Sequence, residues 1–322
     1  MRYVVYGAGA VGGVVGALLH RAGHDVVLIA RGDHLAAIRR NGLRLLTPAE
    51  DTTQHIPAAG DPAEIDWRHD DVVLLAMKSD GTRDAAVALA AAAPPSVAVV
   101  SVQNGVANEP VLLRWFDCVY GVCVMAPTAH REPGVVEAHC HPTAQILDVG
   151  RYPHGVDVTA EQVATAFESA GVVSVPRPDI MAWKYRKLLH NLGNAVQAVC
   201  RPDDDRQQLL GLVRDEGERV LAATGIHVVS EEADRRRRGD ILQLAEIPGR
   251  PRRGSSSWQS LERRTGSIEA DYLNGEIVWL GRQFDVAAPA NELVRREAIR
   301  HAAARRPPGT VPARELLDRL ST

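Results

Sequence analysis

Lysine is scarce in this chain: of 37 basic residues only Lys78, Lys184 and Lys187 are lysines, and the rest are arginine. A sequence that uses arginine wherever surface charge suffices keeps its few lysines for places that want a compact, deprotonatable ammonium, which a guanidinium cannot supply. An excess of charge of one sign is also missing, since the 37 basic residues face 40 acidic ones and the formal net charge is -3. No global field draws the chain to nucleic acid or to an anionic membrane. The four cysteines, Cys118, Cys123, Cys140 and Cys200, have irregular spacing and no C-x-x-C pair. That argues against a disulfide framework or zinc ribbon and for reduced, mostly buried thiols. No window approaches the roughly 18 to 20 uninterrupted apolar residues that a bilayer requires. Residues 1–6 read as an apolar strand rather than a secretory signal, so a cytoplasmic location is expected.

What the sequence does have is alternation. Its 322 residues suggest two domains of about 150 residues each. Apolar residues at 45% and charged residues at 24% are those of a globular chain. Residues 2–6 form an apolar strand, a glycine turn and a helix to about position 21 follow, and 25–30 is a second buried strand, completing a βαβ unit. Strand patterns recur at 43–46, 53–56, 72–77, 97–102, 119–125, 135–139 and 144–149, with helices at 34–40, 82–92 and 160–170. From about Asp179 the period is helical, over 180–199, 207–224, 231–244, 258–264, 268–284 and 290–304, with a polar loop at 248–257. The expected fold is α/β: a Rossmann doubly wound sheet over 1–178, then an all-helical domain over 179–322.

The turn Gly7-Ala8-Gly9-Ala10-Val11-Gly12 carries the strongest signal. In a dinucleotide fold Gly7 makes the tight turn, Gly9 lets backbone approach a pyrophosphate, and Gly12 permits close helix packing. The helix N-terminus then faces the phosphates. At the end of the second strand, where a carboxylate would read the ribose hydroxyl of NAD, stands Arg31. A guanidinium offers a fork of donors to a 2′-phosphate, which favours NADPH/NADP+, with Asp33 nearby as the counter-signal.

In the helical half, Lys187, Asn191 and Asn194 stand at i, i+4 and i+7 and share one helix face. Hydride reduction of a carbonyl leaves an alkoxide that needs a proton, and a lysine ammonium can polarise the oxygen and then donate. Spacing alone equally allows a solvated lysine with two interhelical asparagines. Glu269 reads either as a surface acid or as a carboxylate that keeps Lys187 charged and in position. Other features invite plainer readings. His139-Cys140-His141 on a strand would set the two histidines on one face and the cysteine on the other, so no metal site is expected. Arg235 to Arg238 is offset by the acidic residues from Glu231 to Asp234 and reads as a solvated helix face. Tyr185, Trp258, Tyr272 and Trp279 read as core or interface.

Taken in order, the glycine turn, Lys78 after a strand, Gln103-Asn104-Gly105, Arg186-Lys187-Leu188 with Asn191, Ser256-Ser257, and Glu269 through Gly275 resemble the ketopantoate reductase (2-dehydropantoate 2-reductase) family over nearly the whole chain. The resemblance implies NADPH-dependent reduction of ketopantoate to pantoate, toward pantothenate and coenzyme A, in a cleft between the two domains. It implies Lys187 as general acid, Glu269 near Lys187 and the cofactor ribose, and Lys78 beside the cofactor. Asn104 would lie near the nicotinamide ribose and the substrate, and Asn191 and Ser257 on the substrate. The implied partner is a small 2-oxo acid, with no nucleic acid, membrane or metal, and a homodimer is left open.

Two departures stand out. The family carries a second asparagine eight residues after the lysine, where this chain has Ala195. Asn194, one position earlier, is turned by about 100 degrees on a helix. The cluster Arg250-Pro251-Arg252-Arg253 precedes the serines and could enlarge an anion site. Two alternatives follow, a related reductase acting on another branched or acidic 2-oxo acid, and a non-catalytic NADP(H)-binding sensor. Lys187 together with Glu269 argues against the sensor, which needs no proton donor.

Overall fold

The computed structural model describes residues 1–251 and 253–321. The chain divides into two compact units, one of Met1–Lys184 with Glu231–Arg252, the other of Tyr185–Ser230 with Arg253–Thr322. The first unit opens with β1 (Arg2–Tyr6), α1 (Ala10–Arg21), β2 (Asp25–Ile29), α2 (Gly32–Asn41), β3 (Leu43–Leu46), β4 (Asp51–Gln54), β5 (Ala58–Ala59) and β6 (Asp71–Leu75). It continues with α3 (Thr82–Ala92), β7 (Ala98–Ser101), α4 (Asn108–Leu112), β8 (Val119–Met125), β9 (Thr128–Ala129), β10 (Val135–Ala138), β11 (Cys140–Pro142), β12 (Ile146–Arg151) and α5 (Val158–Ser169).

Seven strands form one sheet in the order β12-β8-β7-β6-β1-β2-β5. All pair in parallel except β12, which runs antiparallel to β8 at the edge. β1, β6 and β8 are buried from end to end, the continuous apolar run of strands covered on both faces. Alternate side chains serve opposite layers: Tyr3 and Val5 join the core on one side, Val4 and Tyr6 the core on the other. A four-stranded sheet, β4-β3-β10-β9, packs against α1.

Helix α6 (Ile180–Asn191) begins in the first unit, and the division falls within it, after Lys184. The remaining elements are α7 (Gly193–Val199), α8 (Asp205–Thr224), α9 (Glu231–Arg238), β13 (Leu242–Leu244), α10 (Ser256–Glu262), α11 (Asn274–Gln283), α12 (Pro289–Ala303) and α13 (Ala313–Leu320). In the second unit α7 packs on α8, α10 and α12, and α8 on α11, α12 and α13.

Several expectations need correction. The division comes after Lys184 rather than after residue 178, and Glu231–Arg252 returns to the first unit. The cause is buried charge: Asp148 on β12 needs cationic partners and takes Arg237 of α9 in two hydrogen bonds of 2.8 and 2.6 Å, with Arg177 at 3.0 Å. The helix expected over 231–244 therefore stops at Arg238, and β13 pairs antiparallel with β11 instead. The strand expected through His139 breaks there. The His139 amide bonds Pro127 O at 2.9 Å, and its ring is buried against Glu137, 2.9 Å away. His141 is exposed, so the two histidines do not share a face. The helix expected over 180–199 divides at Leu192, and that over 268–284 becomes a 3-10 turn, Glu269–Tyr272, followed by α11 after Leu273 (φ -113°, ψ -86°). All four cysteines are free thiols, with Cys123, Cys140 and Cys200 buried. Among the described residues no helix is long and apolar enough to cross a membrane.

Candidate active site

In the first unit the strand order reverses at β1, with β2 on one side and β6 on the other, and such a switch point opens a crevice at the carboxyl ends of the strands. The pairings Tyr6↔Ile29, Tyr6↔Leu75 and Leu75↔Ser101 bring the ends of β2, β1, β6 and β7 level. Arg31 follows β2, the glycine turn follows β1, Lys78 follows β6 and Asn104 follows β7. Four motifs far apart in sequence thus stand along one rim.

Gly7 adopts φ +103°, and a Cβ there would lie 2.8 Å from Met77 N. At Gly12 a Cβ would lie 2.3 Å from Gly7 O, so α1 seats against the turn only because the side chain is missing. At Gly9 a Cβ would meet nothing within 4 Å. That side is open, as a backbone approached by a diphosphate requires. α1 begins with no side-chain cap and no acidic residue in its first turn, leaving its N–H groups for an anion. These features fit a dinucleotide. Arg31 and Asp33 are both exposed at the start of α2.

His34 braces this turn and was not singled out by the sequence. Its Nε2 lies 2.7 Å from Ala8 O, and the Gly134 amide donates to its Nδ1 at 2.8 Å. The ring is therefore neutral with the proton on Nε2. Burial, and then the neighbouring His130 ring with centroids 4.2 Å apart, lower its pKa. A histidine three residues beyond the strand-end arginine was the available signal, but its partner Gly134 is distant in sequence.

Lys78 and Asn104 are both half-buried. Lys78 precedes the 3-10 turn Ser79–Gly81, and Asn104 O accepts from Asn108 Nδ2 at 3.0 Å.

In the second unit Lys187 is half-buried on α6, Asn191 is the buried last residue of that helix, and Asn194 is half-buried in α7. Between the helices Leu192 keeps helical dihedrals (φ -57°, ψ -33°), and its carbonyl accepts from Asn274 Nδ2 at 3.1 Å. Asn274 also donates to Asn291 Oδ1 at 2.9 Å, and Asn291 Nδ2 donates to Val213 O and to Glu216, each at 2.9 Å. Ser255 caps α10 and donates to Asn194 O at 3.3 Å. Ser257 is 2% exposed, and its Oγ has no hydrogen-bond partner among the described residues. A buried hydroxyl in that condition is uncommon and calls for a ligand or water. Ala195 is fully buried. Glu269 is half-buried and opens the 3-10 turn.

The arginine cluster is less available than its sequence suggests. Arg250 pairs with Glu132 and, at 3.1 Å, with Glu137, while Arg253 lies 3.2 Å from Glu262. Arg252 lies outside the described residues. Burial opposes ionisation of Glu137, but bonds from His139, Arg131 and Arg250 outweigh it and hold its pKa at about 2. Within the run from Arg235 to Arg238, Arg236, Arg237 and Arg238 are likewise engaged by Glu232, Asp148 and Asp234 respectively. Of the aromatic residues, Trp258 packs on Ala198, Leu261 and Ala302, while Trp279 is 52% exposed.

Comparison with known proteins agrees with this geometry. Residues 3–153 match the family model described as ketopantoate reductase PanE/ApbA, and residues 179–300 match ketopantoate reductase PanE/ApbA C terminal. The 2-dehydropantoate 2-reductase of Pyrococcus horikoshii is 29% identical over 307 residues, covering 91% of this chain and 95% of that protein. The enzyme of the same name from Mesorhizobium japonicum is 29% identical over 343 residues, covering 93% and 98%. A PanE/ApbA family ketopantoate reductase from Ralstonia eutropha has a similar crystal structure, with TM-score 0.79, 31% identity and coverage of 95% and 99%. D-mandelate dehydrogenase with NADH and anilino(oxo)acetate shares the fold at TM-score 0.81 and 19% identity, over 95% and 99% of the two chains. With both models of one family matched in tandem on a dinucleotide-binding sheet and a helical unit, this chain belongs to the ketopantoate reductase family, oxidoreductases that act on CH–OH groups with a nicotinamide cofactor.

Proposed function

We propose that the chain reduces 2-dehydropantoate (ketopantoate) to pantoate with NADPH, a step toward pantothenate and coenzyme A. The observation that carries this reading is the rim of the sheet, where the glycine turn, Arg31, Lys78 and Asn104 follow four adjacent parallel strands. NADPH when bound supplies a hydride to the carbonyl carbon. The open backbone at Gly9 and the uncapped start of α1 hold the diphosphate, and the exposed Arg31 guanidinium pairs with the 2′-phosphate. Lys78 and Asn104 hold the nicotinamide end. Lys187 polarises the carbonyl oxygen and gives its proton to the alkoxide, and Glu269 keeps that ammonium charged. Asn191, Asn194 and Ser257 bind the polar groups of the acid, and the unpartnered Ser257 hydroxyl supports this assignment.

A second reading rests on position 195. Ala195 is buried and supplies no side-chain amide. That favours a related branched or acidic 2-oxo acid, whose polar groups are arranged differently from those of ketopantoate. The free thiols suit a cytoplasmic enzyme. The test is NADPH oxidation by the purified chain across a panel of 2-oxo acids. Turnover with ketopantoate upholds the first reading, and turnover with other acids alone moves the assignment to the second. Binding of NADPH without oxidation of it by any acid would overturn both in favour of a sensor.

A further inference from the structure

Of the three lysines, Lys184 has the most confined setting. It is 3% exposed, its Nζ lies 2.6 Å from Glu109 Oε1, and it donates to Gln103 O at 2.9 Å and Val122 O at 3.2 Å. The ammonium thus gives two hydrogen bonds to carbonyls and pairs with the carboxylate as an ion pair, without a hydrogen bond to it. Glu109 is fully buried, and Gly121 makes room for the pair, since a Cβ there would sit 3.3 Å from the lysine chain and 3.4 Å from the carboxylate.

The carbonyl that Lys184 grips belongs to the residue before Asn104. The side chain of the same glutamine crosses to the neighbouring turn, where Gln103 Nε2 donates to Met77 O at 2.9 Å and to Thr82 Oγ1 at 2.8 Å. Thr82 donates to Asn108 Oδ1 at 2.8 Å, and Asn108 Nδ2 donates to Ser79 Oγ at 3.2 Å and to Asn104 O at 3.0 Å. The turns bearing Lys78 and Asn104 are thus fixed to each other by a buried set of side chains that ends on the Lys184–Glu109 pair. Stability does not account for the pair, because well-packed apolar residues of similar volume commonly do as well as a buried ion pair.

We infer that Lys184, held by Glu109, is a positioning residue: it acts through the Gln103 carbonyl to set the Asn104 turn for the nicotinamide end of the cofactor, without touching substrate. This rests on the NADPH reading above. Lys184→Met alone strands the Glu109 carboxylate in the interior and can prevent folding. The informative variant is therefore Lys184→Met with Glu109→Leu, which removes the whole pair. The variant should fold with a thermal midpoint moderately below that of the parent, because the Gln103 and Val122 carbonyls lose their donor. Its kcat should fall by about tenfold to a hundredfold and its affinity for NADPH by about fivefold to tenfold, as expected when a positioned group is misplaced. Affinity for 2′,5′-ADP, which reaches only the glycine turn and Arg31, should hold within about twofold. A folded double variant with parental kcat and NADPH affinity overturns the inference, and so does an equal loss for NADPH and 2′,5′-ADP. A parent chain that binds no NADPH fails the underlying reading instead.

Discussion

In the strand-based unit the polar groups behind the candidate residues end on an ammonium, whereas in the helical unit they end on a carboxylate. Lys184 gathers the carbonyls of Gln103 and Val122, and Glu216 gathers the amides of Ala290 and Asn291 at 2.8 and 2.9 Å. The difference follows from which backbone groups each architecture leaves over. Gln103 follows the end of β7 and Val122 in β8 lies just past the last β7 pairing, so their carbonyls call for a donor, while the first turn of a buried helix such as α12 leaves N–H groups and calls for an acceptor. At the break between α6 and α7, Asn274 donates to the Leu192 carbonyl. Each unit thus satisfies buried backbone groups and supports its candidate residues with the same side chains.

The largest effect should come from a residue outside both networks. Lys187→Ala should lower kcat by about a hundredfold to ten-thousandfold while NADPH affinity, measured by direct titration, stays nearly constant. A matching loss of affinity would remove the proton-donor role. Next, Asn274→Ala removes the side-chain donor to the Leu192 carbonyl and to Asn291 Oδ1 and should cost about 2 to 3 kcal/mol in urea unfolding. It should also raise KM for the acid with NADPH affinity retained. The reverse pattern would show that the helical network does not serve substrate binding. Arg31→Ala should weaken NADPH by about tenfold or more through lost charge-assisted hydrogen bonds and leave NADH nearly unaffected. A parallel loss for both cofactors would contradict phosphate reading.

The smallest effect concerns a carboxyl in the first turn of α11. The Glu276 carboxyl has no hydrogen bond or ion pair among the described residues, and burial raises its pKa from the ordinary 4.5 to about 7. The folded chain holds that proton more tightly than the unfolded one. The stability it contributes is full below about 4.5 and is lost as pH rises through about 7. Glu276→Gln should flatten that decline and stabilise the chain at pH 8, by about 1 to 2 kcal/mol after allowance for partial exposure. Equal thermal midpoints for the two proteins across this range would refute the assignment.

Elements with a strong period were legible. The apolar runs of β1, β6 and β8 announce buried parallel strands, and the helix over 82–92 coincides with its expected range. The three-residue strands β11 and β13 were not, because neither has a period long enough to read and each exists through the other. α13 went unread behind the Pro-Gly stretch that precedes it. Lys184 was noticed only as one of three lysines. Its partners Glu109, Gln103 and Val122 lie many residues away, and no local pattern joins them.

Local chemistry in the chain was enough to specify the glycine turn, the arginine at the end of β2, the change from a two-residue to a helical period, and hence a nucleotide-binding sheet followed by helices. Those features depend on neighbours within a few positions. Which lysine is buried, where α6 ends, why Glu231–Arg252 leaves the helical unit and which serine hydroxyl lacks a partner were decided by the fold. Each of these turns on satisfying or desolvating a polar group against residues distant in sequence, and that balance exists only once the chain is packed.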